Sequence, residues 1–383
     1  MSPPVPNFDD AAARQALRRD LDRSFIVEAA AGTGKTSELA YRLVEVLKSG
    51  RTTVDRVVAV TFTRKAAGEM KLRLRQYLDA AREAEITRQE KANLEHAIAH
   101  LEEAHIGTIH SFCAEILRER PVEARVDPGF QELSEDQAQA LYERAFQAWI
   151  HQKLSDLPPA LERALARGNR AESPLERLQA AGWKLAEWRD FPAPWRREAF
   201  DLRREADRLL ERLRELAQMA LQCPKTNDFL RQTLKPAVEL VQSLERAEAV
   251  RARDYCAMET LLLELPRKLR KGYRGKGRGP FAAGLTRDQV LAARDSLLAS
   301  LADFERRANA ELASLLHDEL HDLVERYEQH KRRAGKLDFV DLLILARNLV
   351  RDNAEVRRYL QQRFTHIFVD EFQDTDPLQA EIL

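Results

Sequence analysis

The chain has 383 residues, enough for two or more domains with cores of their own, and its charge is balanced at 62 Lys+Arg against 62 Asp+Glu. That balance excludes recognition of a polyanion through overall charge, so such a partner has to be met by a local patch. Cys113, Cys223 and Cys256 are far apart and form no CxxC pair, which argues against a disulfide framework or a metal cluster. The start carries no signal-peptide pattern and no run approaches a membrane span, so a soluble, cytoplasmic protein without a membrane partner is expected.

Residues 1–8 read as a disordered tail. The apolar β-type run Phe25, Ile26, Val27 then passes through Ala29, Ala30, Ala31, Gly32 and Thr33 into Gly34-Lys35-Thr36, and a helical pattern follows to about residue 47. This is the strand–loop–helix order in which backbone N–H groups wrap a triphosphate. Lys35 is placed to neutralise the β- and γ-phosphates of ATP, and the Thr36 hydroxyl to meet Mg²⁺. Ala29 stands where a glycine is often found, and it is small enough for the turn.

A second strand is expected over 56–61, then a charged helical stretch from about 65 to 103. The segment His105-Ile-Gly-Thr-Ile-His-Ser-Phe112 follows, with a helix stopping near Pro121. From Glu135 to about 334 the β signal almost vanishes. Leu202, Ala206, Leu209, Leu210, Leu213 and Leu216 recur at helical spacing, with interruptions expected at Pro158-Pro159, Pro192 to Pro194, Pro224 and Pro266. The β signal returns at His366-Ile-Phe-Val-Asp370. Asp370, ending a buried strand, suits a Mg²⁺ ligand beside Thr36, and Glu371 is then placed to polarise an attacking water. Strands on both sides of a helical insert predict one parallel α/β sheet completed by distant parts of the chain.

Between Arg267 and Arg278 lie seven basic residues, three glycines, one tyrosine and no acid. Arg270, Lys271, Tyr273 and Arg274 are the expected polyanion contacts there, the ring as a stacking surface. A solvated surface run is the other reading.

Asp370-Glu-Phe-Gln-Asp-Thr-Asp-Pro-Leu-Gln379 resembles motif II of superfamily 1A helicases of the UvrD/Rep type. Thr61-Phe-Thr-Arg-Lys-Ala-Ala67 resembles their motif Ia, and Gly107-Thr-Ile-His-Ser-Phe112 their motif Ib. The Thr-Ile-His-Ser-Phe-Cys spelling, the segment Leu337-Asp-Phe-Val-Asp-Leu342 and the long insert are most similar to the RecB/AddA branch. The resemblance implies a P-loop RecA-like parallel sheet flanked by helices, domain 1A, over 9–120 and 336–383, with an all-helical insertion, domain 1B, over 121–335. It implies DNA contacts at Thr61, Phe62, Thr63, Lys65, Thr108, His110, Ser111 and Phe112. Helix capping is the alternative for the hydroxyls, and core packing for Phe112. It assigns Gln373 a link between the γ-phosphate and the DNA site. The family's adenine-reading glutamine aligns with Arg14, and Gln15 reaches that position by a one-residue shift.

The implied function is an ATP-dependent DNA helicase or translocase of repair and recombination, moving 3′ to 5′ on single-stranded or partly duplex DNA, with a partner subunit of a RecBCD/AddAB-like complex. Motifs III to VI are not in these residues, so nucleotide and weak DNA binding without turnover or unwinding are expected of them. The alternative is a naturally short, non-translocating ATP- and DNA-binding module that assists a partner motor.

Overall fold

In the computed structural model, which describes residues 10–30, 32–167, 173–191, 199–270 and 279–383, the chain forms two compact units. One combines the described residues up to 138 with 331–383, and the other spans 139–330. The expected tail at 1–8 lies outside the described residues.

Val57–Thr61 (β1) is a charge-free run of β-branched residues and alanine, and all five residues are buried. Such a run suits a strand covered on both faces. It is the middle of a three-stranded parallel sheet in the order β2-β1-β5, where β2 is His105–Thr108 and β5 is His366–Val369. The register pairs Val58 with His105 and Ile367, and Val60 with Gly107 and Val369.

Alternation along β1 sorts its side chains onto two faces. Before the sheet come α1 (Ala11–Arg19) and α2 (Lys35–Lys48), and between β1 and β2 come α3 (Arg64–Glu83) and α4 (Arg88–Ala99). Val57 and Ala59 pack with Leu43 and Leu47 of α2, Met70 and Leu74 of α3, and Leu94 of α4. After β2 follow α5 (Ile109–Glu119) and α6 (Pro121–Ala124). Val58 and Val60 face Ile109, Phe112 and Ile116 of α5 together with Leu342 and Leu360 from the end of the chain. Each fully buried aliphatic side chain contributes about 1.5–3 kcal/mol, so these two layers hold the sheet.

A second, two-stranded parallel pair joins β3 (Gln131–Glu132) to β4 (Lys336–Leu337). Beyond β4, the helix Phe339–Asp352 starts on a capping box between Asp338 and Asp341. Lys331, 1 % exposed, donates to both carboxylates at 2.6 and 2.5 Å. Ala124 and Phe130 sit in the core under β1, and residues 121–138 group with the sheet-bearing unit.

The unit spanning 139–330 is helical apart from one isolated bridge, Ala282 with Leu285, among its described residues. Its long helices Leu202–Gln222, Phe229–Glu248 and Tyr255–Arg270 bury Leu209, Leu213, Leu234, Leu262 and Leu269 in one cluster. A second cluster gathers Tyr142, Phe146, Trp149 and Tyr327. Pro158 and Pro159 open a helix and Pro224 follows one, as expected, whereas Pro266 lies inside Tyr255–Arg270. The lost backbone bond there is offset by burial of Leu262, Leu265 and Leu269 on the same helix. A buried ion cluster crosses this unit. Arg163 reaches Glu259 and Glu311, both at 2.8 Å, and Arg167 reaches Glu259 at 2.5 Å.

The stretch 65–103 is helical as expected, divided where Thr87 and Glu90 form a capping box that starts α4. One other expectation is corrected: Phe25–Val27 is not a strand. Its side chains are 38, 89 and 48 % exposed, and no ladder pairs it among the described residues. The two sides of β1 are taken by β2 and β5, and an extended run without a partner forms no ladder. A groove of about 510 Å³ separates the run from β5, and the Phe25 ring instead lies under the Arg42 guanidinium at 4.8 Å. Among the described residues no helix is long and apolar enough to cross a membrane.

Candidate nucleotide-binding site

The three parallel strands end on one side, where β1 runs into Phe62 and Thr63, β2 into α5, and β5 into Asp370. Loops at that edge of an open α/β sheet are where ligands gather. The loop before α2 reaches the same place. Gly32 and Gly34 have φ of 78° and 89°, a left-handed conformation that side chains disfavour, while nothing would obstruct a Cβ at either position. Backbone conformation, not space, therefore requires glycine here, and Gly34 is the N-cap of α2.

The carbonyls of this loop are taken up by side chains. Lys35 Nζ donates to Ala29 O at 3.1 Å and Thr33 Oγ1 to Ala30 O at 2.8 Å. The Thr36 hydroxyl donates to Asp370 Oδ2 at 2.9 Å, joining residues 334 apart in sequence. Asp370 N donates to Val60 O at 2.9 Å, which fixes the acid against the central strand. Thr36 and Asp370 thus bring together a hydroxyl and a carboxylate, hard oxygen donors of the kind Mg²⁺ takes alongside phosphate oxygens. Among the described residues no group of three or more His, Cys, Asp or Glu forms a metal cage.

Glu371 has φ of 56°, unusual for a side chain of its size, and it is exposed with the Gln373 amide donating to its carboxylate. Asp374 lies in the short 3₁₀ turn Phe372–Asp374. Ala31 falls outside the described residues.

Gln15 is exposed on α1. Its neighbour Arg14 is the one that reaches the loop, donating to Thr33 O at 3.1 Å. Arg14 also binds Asp10, and with Arg18 it clamps Glu38, 6 % exposed, on the first turn of α2. Arg18, against the effect of burial, and then Arg14 hold the Glu38 carboxyl below the usual carboxylate range. The sequence reading missed this cluster. Its signal was the Arg14/Arg18 pair at i,i+4 with an acid three residues after Lys35.

The residues expected to meet DNA divide. Phe62 is 65 % exposed and the Lys65 side chain 88 %. Thr61 is 2 % exposed and bonds Thr63 O, so a DNA contact from its side chain is not available. Thr63 and Thr108 cap α3 and α5, accepting from Ala66 N and Ser111 N, and Ser111 Oγ lies 2.8 Å from Thr108 Oγ1. Phe112 is a core residue, 8 % exposed and edge-on to Phe364. His110 sets its ring edge against Phe339 at 5.1 Å, and burial pushes its imidazole below the ordinary range against the opposing carboxylates of Asp376 and Glu132. Arg270 is exposed at the end of its helix, and Lys271, Tyr273 and Arg274 lie outside the described residues.

A small parallel sheet flanked by helices, with a glycine-turned loop and an acid pair at its carboxyl edge, defines an α/β protein. The family model of the UvrD/REP helicase N-terminal domain matches residues 10–383, and the chain belongs to that family. Among curated relatives it is 30% identical to an ATP-dependent helicase/nuclease subunit of Moorella thermoacetica, over 98% of this chain and 29% of the relative. It is 27% identical to the subunit of the same description from Syntrophomonas wolfei, over 94% of this chain and 31% of the relative. The exonuclease/helicase subunit RexA of Lactococcus lactis is 24% identical, over 94% of this chain and 33% of the relative. The chain spans about a third of the length of these relatives.

Proposed function

We propose that these residues are the ATP-binding portion of an ATP-dependent DNA helicase or translocase, with ATP and Mg²⁺ held at the carboxyl edge of the sheet. The observation that carries the reading is the Thr36–Asp370 hydrogen bond of 2.9 Å, which joins the loop to the acid pair across 334 residues. Backbone N–H groups of 32–36 cradle the phosphates, and Lys35 leaves the Ala29 carbonyl to neutralise them. Thr36 and Asp370 would hold Mg²⁺, which would supply neutralisation of phosphate charge. Glu371 accepts a proton from the attacking water, and Gln373, hydrogen-bonded to that carboxylate, holds it in place.

The helical unit is the insertion 1B of such a motor, and the sheet-bearing unit is its RecA-like domain 1A. Phe62 and Lys65, exposed beside the strand ends, meet single-stranded DNA with His110 and Ser111, and Arg270 leads into a basic stretch that adds phosphate contacts. The chain's similarity to an ATP-dependent helicase/nuclease subunit and to an exonuclease/helicase subunit supports a whole protein that is one component of a helicase/nuclease. Repair and recombination of DNA, 3′-to-5′ movement and a second subunit follow for the whole protein on that analogy.

The test is calorimetric titration of ATP with Mg²⁺ into the chain and into Lys35→Ala. Saturable binding lost in the variant, at an unchanged melting midpoint, is expected. Equal binding by both would sink the assignment.

A further inference from the structure

Arg14 stands beside the loop proposed to hold the phosphates, with its guanidinium spread over three acceptors. Nε bonds Asp10 Oδ2 at 2.8 Å, Nη1 bonds Glu38 Oε1 at 2.8 Å, and Nη2 is shared between Asp10 Oδ2 at 2.7 Å and Thr33 O at 3.1 Å. Glu38 is itself fixed, since Arg18 binds it through Nε and Nη2, both at 2.6 Å. The Arg14 fork is therefore braced from α1 and from the first turn of α2, and its third arm presses on one carbonyl of the phosphate loop.

A trans peptide points its C=O and the following N–H in opposite directions within one plane, and none of the chain's described bonds is cis. Holding Thr33 O toward Arg14 consequently turns Gly34 N–H away from it. Gly34, at φ of 89°, has no side chain to hold that plane by packing. Two more loop carbonyls are held by side chains, Ala30 O by the Thr33 hydroxyl and Ala29 O by Lys35. The Lys35 contact is given up when phosphate takes the ammonium.

We propose that Arg14 is a positioning residue that fixes the Thr33–Gly34 peptide plane, so that this site recognises the triphosphate through a pre-aimed N–H before anything reads the base. The inference rests on the nucleotide site proposed above and deepens it. A charge-assisted bond to the loop sets the scale of its loss at about tenfold in affinity.

The experiment titrates ATP and, separately, inorganic tripolyphosphate, each with Mg²⁺, into the chain and into Arg14→Ala and Arg14→Lys. Arg14→Ala is expected to weaken both ligands in parallel, about tenfold, with the melting midpoint close to that of the parent. Arg14→Lys keeps one cationic arm for Thr33 O but not the brace on Asp10 and Glu38, and falls between. Weakening of ATP with tripolyphosphate unchanged would overturn the proposal, because Arg14 would then act on the base. Unchanged binding of both ligands would overturn it as well. Absence of ATP binding by the parent chain would instead remove the nucleotide site itself, a different failure.

Discussion

Replacing Arg163 by Met removes the centre of the ion cluster in the helical unit while keeping a side chain of similar length. Arg163 is 6 % exposed, its partner Glu259 is fully buried, and Glu311 is 6 % exposed. Burial alone would push the Glu259 carboxyl up, yet Arg163 and Arg167 together bring it below the ordinary range. Removing one partner of a buried ion pair costs about 3–5 kcal/mol, because the remaining charge is left in a poorly solvated site. Arg167 still reaches Glu259, so the lower end applies, about 3 kcal/mol. For a unit of the size of residues 139–330 that is a fall in melting midpoint of about 6–12 °C. Thermal and urea unfolding followed by circular dichroism reads it. Adding Glu259→Gln to Arg163→Met should recover part of the loss, since a neutral amide is less costly to bury than a carboxylate. A loss under about 1 kcal/mol, within the range of exposed pairs, would refute the reasoning.

Gly34→Ala meets no steric obstacle but forces an alanine to φ of 89°, at about 1–2 kcal/mol, so ATP affinity should fall about tenfold in calorimetry. Unchanged affinity would show that the loop adopts another conformation when loaded. Burial lowers the pKa of His110 from its ordinary 6.5, so the unfolded chain binds its proton first on acidification. Stability should therefore drop as pH falls below about 6.5, His366 adding with the same sign, and His110→Gln should flatten the melting-midpoint slope between about pH 7.5 and 5.5. An equal slope in the variant would locate the pH dependence elsewhere. Phe62→Ala, at an exposed position, should leave the melting midpoint alone and weaken a fluorescent single-stranded oligonucleotide by about 1–3 kcal/mol in anisotropy. Unaltered binding would take Phe62 out of any DNA path.

What was legible in the sequence was whatever a local pattern encodes. The apolar run within 56–61 gave a strand, observed over Val57–Thr61, the helical spacing of Leu202 to Leu216 gave a helix, and the acid pair after Ile367-Phe-Val369 marked the strand that meets the loop. Failures came where a distant partner decides. Phe25–Val27 has strand composition, but its ladder depends on a neighbour elsewhere in the chain. Pro266 breaks helices in general, and here the packing of Leu262, Leu265 and Leu269 overrides it. Thr108 caps its helix and Phe112 packs in the core, the alternatives the sequence had left open, and Thr61 is buried. Arg14 was invisible as a loop contact because the turn of α1 that aims it at Thr33 is set by tertiary packing.

The Thr36–Asp370 contact also has a consequence in time. At synthesis rates of about 5–20 residues per second, the 334 positions between them take roughly 20–70 s to emerge. During that interval the nascent chain already carries its lysine and glycine turn, but β1 has one flank without β5 and Thr36 has no carboxylate to meet. The Thr36–Asp370 bond and the β1–β5 pairing thus form only after the ribosome has passed Asp370. A truncation before that point would leave the glycine turn without its carboxylate partner, and β1 with an open edge for chaperones to cover.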